Sequence, residues 1–515
     1  MRSIFRAITS LIIGLSISSF ALAAVKPHAL FTDGAVLQQG MPVPVWGWAD
    51  DGEKVTVEFQ GQKVSATPSA GSGGKWMVML KALKAGGPFE MKISGTNTIT
   101  LKNVLVGEVW LCSGQSNMAW RLSQTSNAEA DIAAAKYPNI HLFTVPNNPK
   151  DEPVADVKAA WQECTPETAK NFSAVGYFFG RALQLARQGV PVGLINSSVG
   201  GTPSEAWTSG EVVRNDPNFA GVRERYAKAV ADWPEAKAKW EAALEKHKEI
   251  AAKAREEGKT APPAPAKPFG PEHQNRPVGL YNGMIAPLVP YALRGAIWYQ
   301  GESNAGRAYE YRSIFPAMIQ DWRKAWNSEM TFLFVQLAPY APPAAYTYAE
   351  LREAQLLTLK LPKTGMAVIT DVGEERDIHP KQKQPVGERL ALAARAIAYG
   401  EKIEYSGPVY SGLKVEGNRA VLSFKHAGGG LVAKGDKLTG FTIAGADQKF
   451  VPAEAEIKGD KIIVSNSSIA TPVAVRFGWE NWPVLNLWNK AGLPATPFRT
   501  DDFPMVTAPK QQAAK

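Results

Sequence analysis

Ser116 stands in the segment "SGQSNMAW", residues 113–120, directly after the apolar run "VLVGEVWLC". A run of that kind reads as a buried strand, so a polar cluster of Gln115, Ser116 and Asn117 at its end is unusual. A serine attacks a carbonyl only with help. It needs a base to take its proton, a group to orient the base, and donors for the oxyanion. The chain has six histidines, and five of them sit at module edges, beside a helical stretch or in a C-terminal β region. His379 differs: it lies in the polar loop "TDVGEERDIHPKQKQPVGERLA", after the strand-like "MAVIT" and before a helix. In an open α/β sheet the loops that follow strands form the functional edge, so His379 and Ser116 are expected to face one cleft.

Two further strand-end loops carry donors suited to an oxyanion. "GLINSSVGGTPSEAW" offers Gly200 and Gly201, where backbone N–H groups can approach a substrate closely. "AIWYQGESNAGRAYEY" presents Gln300, Glu302 and Asn304, and the Asn304 amide can donate to a tetrahedral oxygen. Each loop alone is equally compatible with a tight turn or a solvated tip; four of them on one edge are not. Gln115, Asn117 and Gln300 read as positioning or substrate-binding residues. Arg376 could meet a substrate carboxylate by a bidentate pair or bridge Glu374 or Asp377. The arrangement is not the elbow of ordinary α/β hydrolases, which has glycine two residues after the nucleophile; here that residue is Met118.

These loops need a sheet to hold them. From 104 to 400, apolar strands alternate with helical stretches, for example "VGYFFGRALQLARQ" then "VPVGLINSS", and "SIFPAMIQDWRKAW" then "TFLFVQLAP". That order argues for a parallel α/β sheet. An insertion at about 211–268 interrupts it, rich in Ala, Lys and Glu and ending in the stiff "KTAPPAPAKP". Residues 24–103 show short alternating strands ("KVTVEF", "WMVML", "FEMKIS"), with "GTNTITLKNV" as a further pair around a turn, and read as a β module of sandwich type. Residues 401–515 return to β, with an irregular aromatic tail expected to pack back on the body.

The first 23 residues carry Arg2 and Arg6, an apolar stretch from about Ile8 to Leu22, and the A-x-A pattern of Ala21 and Ala23. This is the form of a secretory signal, so the mature chain is expected to be exported, to the periplasm or beyond. No later stretch approaches a membrane span, and no cysteine follows the cleavage site to suggest a lipid anchor. The net charge of +9 comes without a basic block interleaved with aromatics, which argues against nucleic acid. Cys112 and Cys164 could pair in an oxidising compartment, but Cys112 ends an apolar strand and reads rather as a buried free thiol. No Cys/His spacing suits a metal, and no cofactor is expected. Nothing in the chain specifies an oligomeric state.

The blocks "SGQSNMAW", "GLINSSVGGTPSEAW", "LYNGMIAPL", "WYQGESNA" and "DIHPKQKQPVGERLA" resemble those of exported sialate O-acetylesterases, within the wider SGNH hydrolases. The resemblance runs on to "NKAGLPATPFRTDDFP", so it spans nearly the whole mature chain. It implies a three-layer, flavodoxin-like α/β hydrolase domain of SGNH type with flanking β-sandwich modules. It implies an acetylated carbohydrate as substrate, Ser116 as nucleophile, His379 as base, and an oxyanion hole of the Ser116 N–H, Gly200 or Gly201, and Asn304. One departure stands out: many SGNH enzymes have an acid three residues before the histidine, where this chain has Arg376. Asp377, two before His379, and Glu302, the glutamate of the Gln-Gly-Glu block, are the alternative carboxylates. Other readings are a deacetylase of hemicelluloses such as xylan or xyloglucan, and a carbohydrate-binding protein without catalysis.

Overall fold

The structure, a computed structural model, describes residues 24–342 and 347–509. The expected secretory signal therefore lies outside the described residues. Six parallel strands form the central sheet: β1 (Thr98–Gly114), β2 (Tyr137–Thr144), β3 (Val192–Ser198), β4 (Gly295–Tyr299), β5 (Thr331–Val335) and β6 (Thr364–Ala367). Their order is β2-β3-β1-β4-β5-β6, with Gln162–Cys164 antiparallel on the β2 edge. Set β2 aside and the order is second, first, third, fourth, fifth, so the direction of winding reverses between β1 and β4. The crevice outside the carboxyl ends at such a reversal is where open α/β sheets bind ligands.

Helices cover both faces. α1 (Ala174–Ala186) and α5 (Gln384–Ile397) pack together on one side, where Phe179 of α1 meets Trp110 edge-on with ring centroids 5.0 Å apart. α3 (Ala308–Trp326) and α4 (Thr347–Thr358) cover the other side. There Trp298 of β4 packs on Phe315 and Trp322. The register aligns Gly295 with Trp110 and Trp298 with Ser113, so Trp110 and Trp298 point to opposite faces. With both faces covered, β3, β4 and β5 are buried along almost their whole length, which is why they read as continuous apolar runs.

The β1 strand corrects the expected boundary at 103. It is 17 residues long and carries on across that boundary through a bulge, where Asn103 has φ +54° and the pairing shifts register, so "GTNTITLKNV" is a turn followed by the first part of one strand. Its first part pairs antiparallel with Gly86–Ser94 of the N-terminal module, and its second part sits at the centre of the parallel sheet. Burial changes with the environment: mixed up to Asn103, unbroken from Val104 onward. One apolar core accordingly runs through both units, while the C-terminal β region has a core of its own. Its tail packs back as expected: Arg499 donates to the Glu353 carboxylate at 2.7 Å, and the Thr507 N–H donates to Glu350 at 3.0 Å.

The insertion is dominated by α2 (Ala220–Glu256), a 37-residue helix with one buried residue, Val222. Its proline-rich return lies along it, with the Trp240 indole donating to the Pro265 carbonyl at 3.1 Å. Cys112 and Cys164 are both free and buried. Among the described residues no helix is long and apolar enough to cross a membrane.

Candidate active site

The end of β1 is pinned between its neighbours. The Gln115 N–H donates to the Tyr299 carbonyl of β4 at 2.9 Å, and the Val199 N–H after β3 donates to the Gly114 carbonyl at 3.1 Å. Gly114 is required here: its φ is +135°, and a β-carbon would overlap the Tyr299 carbonyl oxygen. A short helical turn, Ser116–Ala119, follows and leaves Ser116 half-buried.

His379 reaches this turn from 263 residues away, its Nε2 lying 2.8 Å from the Ser116 Oγ. A serine hydroxyl donating to an unprotonated imidazole can pass its proton to the ring as it attacks a carbonyl. Trp120 stacks on the imidazole, with centroids 5.0 Å apart and planes 17° from parallel, which restrains the ring. The Asp377 Oδ1 lies 3.6 Å from His379 Nδ1 and also accepts the His379 backbone N–H at 2.9 Å. Partial burial and the nearby Lys383 ammonium hold the imidazole pKa below its ordinary 6.5, with Asp377 opposing them.

Glu302 does not touch the ring. Its Oε1 accepts from the Asn117 Nδ2 at 2.6 Å, and its Oε2 is buried without a hydrogen-bond partner. Burial pushes its carboxyl above the usual range. The second N–H of the Asn117 amide goes to the Ile378 carbonyl at 3.0 Å, and its Oδ1 accepts from Lys383. Asn117 is fully buried with both its N–H groups spent, so it is not the substrate-binding residue its position suggests. Gln300 needs the same correction. It is buried, its Nε2 donates to the Asn304 Oδ1 at 2.6 Å and the Thr202 carbonyl at 3.2 Å, and its Oε1 accepts from Tyr311.

Gln115 is buried and works inward, its Oε1 receiving the Gly301 and Ser303 N–H groups at 3.4 and 3.2 Å. It thereby ties the β4 loop to the serine turn. Asn304 sits at the centre of a buried network. Its Oδ1 accepts the Ser204 N–H at 2.9 Å, and its Nδ2 gives one hydrogen to Glu205, which Arg307 pairs at 2.8 Å. The other amide hydrogen has no partner among the described residues. Of the two glycines, Gly200 abuts the serine: a β-carbon there would lie 3.4 Å from the Ser116 Cβ. Gly201, at φ +71°, faces open space. The insertion's return segment braces both, Gln274 donating to the Gly200 carbonyl at 3.2 Å and Asn275 to that of Gly201 at 2.6 Å. Arg376 is exposed, with no side-chain hydrogen bond or ion pair among the described residues, so neither Glu374 nor Asp377 holds it.

Sequence reasoning missed Lys383, Trp120 and Glu205. Lys383 looks like its solvated neighbour Lys381, and only the fold shows it to be buried. No group of three or more His, Cys, Asp or Glu among the described residues could hold a metal ion.

The family model described as "Carbohydrate esterase, sialic acid-specific acetylesterase" matches residues 106–249 and 272–396. Sialate O-acetylesterase from Rattus norvegicus is 32% identical over 501 residues, covering 88% of this chain and 90% of that protein. The Homo sapiens protein of the same name is 31% identical, covering 88% of each. A solved carbohydrate acetylesterase from Xanthomonas citri is 38% identical with a TM-score of 0.79, covering 93% of this chain and all of that one. Matched through the loops that carry Ser116, Gly200, Asn304 and His379, the chain belongs to the sialic acid-specific acetylesterase family of carbohydrate esterases.

Proposed function

We propose that this protein is an exported serine esterase that removes O-acetyl groups from carbohydrate. The observation that carries the reading is the 2.8 Å contact between Ser116 Oγ and His379 Nε2 at the carboxyl edge of the sheet. The strand order around β1 supports an SGNH-type, flavodoxin-like domain.

In the reaction, the Ser116 Oγ attacks the acetyl carbonyl while His379 takes the hydroxyl proton. The tetrahedral oxyanion is held by the Ser116 N–H, the Gly200 N–H and the free hydrogen of the Asn304 amide, donors fixed in place before the charge develops. Gly200 takes this role over Gly201 because it is the one packed against the serine. His379 then gives its proton to the departing sugar oxygen, leaving an acetyl-enzyme. Water, deprotonated by the same ring, attacks that ester, and the ring returns the proton to the departing Ser116 Oγ, which frees the serine and the acetic acid that ionises to acetate. Asp377 orients the ring and favours its charged form; Glu302 acts at one remove, through Asn117.

Ser116→Ala is expected to reduce hydrolysis of an aryl acetate by about 10⁴-fold or more while the circular dichroism spectrum stays unchanged. A folded variant that keeps near wild-type activity would refute the reading. The relatives' names point to an acetylated sialic acid, whose carboxylate the exposed Arg376 could meet. Acetate release measured in parallel on O-acetylated sialic acid and on acetylated xylan or xyloglucan identifies the sugar.

A further inference from the structure

Lys383 is fully buried, yet no carboxylate of the described residues comes within ion-pair distance of its ammonium. Its hydrogen-bond acceptor is the Asn117 Oδ1, and its Nζ lies 5.3 Å from the Tyr299 ring centroid and 5.7 Å from that of Trp120. A buried charge without a direct counter-ion is costly, and an apolar side chain of similar length fills such a space more cheaply. The place of this charge is therefore informative. Asn117 is next in sequence to Ser116, and its amide donates to the carbonyl of Ile378, next to His379. Trp120, beside the ammonium, is the ring stacked on His379.

We propose, on the basis of the esterase reading above, that Lys383 is a positioning residue: through the Asn117 amide it ties the serine turn to the histidine loop, and it sets a positive charge behind the base. The ammonium and the Glu302 carboxylate grip opposite ends of one amide, so the amide cannot flip without losing both. The groups acting on His379 are Ser116, Asp377 and Lys383. Those acting on Lys383 are Glu302, Glu374 and Asp377. Burial brings the lysine itself down to about 7, so its charge is sensitive to what surrounds it. The positive charge opposes protonation of the imidazole and keeps the ring ready to accept the serine proton, countering Asp377.

The test is the pH dependence of kcat/KM on an aryl acetate in wild type, Lys383→Met and Lys383→Gln. Lys383→Met removes the charge at similar volume. Lys383→Gln removes the charge and keeps an N–H donor on the side chain. Both are expected to raise the midpoint of the acid limb by about half a unit or more, a drop of about threefold in kcat/KM on that limb beyond any change in the plateau. A midpoint that stays put while activity falls uniformly would reduce Lys383 to a packing residue and overturn the proposal, as would unchanged kinetics in Lys383→Met. Should Lys383→Met not fold, Lys383→Gln decides by the same criterion. A wild type without Ser116-dependent hydrolysis removes the esterase reading and this proposal together; an active wild type with unshifted variants removes only this one.

Discussion

Asp377→Asn is the most informative single change. The carboxylate lies 3.6 Å from His379 Nδ1, longer than a good hydrogen bond, and its side chain is 43% exposed. At that distance a unit charge pair is worth roughly 1 kcal/mol in water and roughly 4–5 kcal/mol at an effective dielectric of about 20. Solvent reaches Asp377, so the interaction belongs near the lower end, at about 1–2 kcal/mol. Asparagine keeps the shape and the acceptor for the His379 N–H but removes the charge that stabilises the imidazolium. The expected loss in kcat/KM is therefore about 5- to 30-fold, far below that of removing Ser116. The pH profile gives a second readout. Asp377 raises the imidazole pKa, so its loss lowers it, and the acid limb moves to lower pH. The assay is aryl acetate hydrolysis from pH 4 to 9, with Glu302→Gln alongside. A loss of about 10⁴-fold, as for a tightly held buried triad acid, would refute the reasoning. So would an inert Asp377→Asn beside a dead Glu302→Gln.

Three further outcomes follow from the geometry. Because burial and Lys383 depress the His379 pKa and the unprotonated ring is the active form, the acid limb of kcat/KM should fall below pH 6.5; a limb centred above that contradicts the electrostatics. Gly114→Ala combines a positive φ with overlap on the Tyr299 carbonyl and should destabilise the fold by about 3 kcal/mol or more in denaturant titrations; a loss under about 1 kcal/mol would mean that β1 and β4 can part freely. The native protein should show no thiol reactive toward a water-soluble disulfide reagent and two after denaturation, since burial pushes both thiols up, Cys164 to about 12.

What was legible in the sequence, and what was not, divides along a physical line. Ser116 and His379 could be found because each follows an apolar run, and strand-end loops of a parallel sheet converge whatever their separation. The orientation of an amide within such a loop leaves no mark on the pattern. Asn117 and Gln300 read as cleft residues, yet both turn inward to satisfy buried charges and carbonyls. Lys383 was invisible for the converse reason: a lysine among Lys381, Gln382 and Gln384 has the composition of a solvated loop, and only the packing of Trp120 and Tyr299 around it shows otherwise. The boundary at 103 failed because one strand leaves the first sheet and enters the second through a single bulged residue, Asn103 at φ +54°, which the residue pattern does not mark.

That shared strand has a mechanical consequence. At a rise of roughly 3.3 Å per residue, the stretch from Val104 to Gly114 spans roughly 33 Å, and one apolar core ties the N-terminal module to it past the bulge at Asn103. The module is a fixed jig, unlike a domain on a tether, which searches the space around it. Any surface the module presents therefore keeps one set distance and one set angle to Ser116.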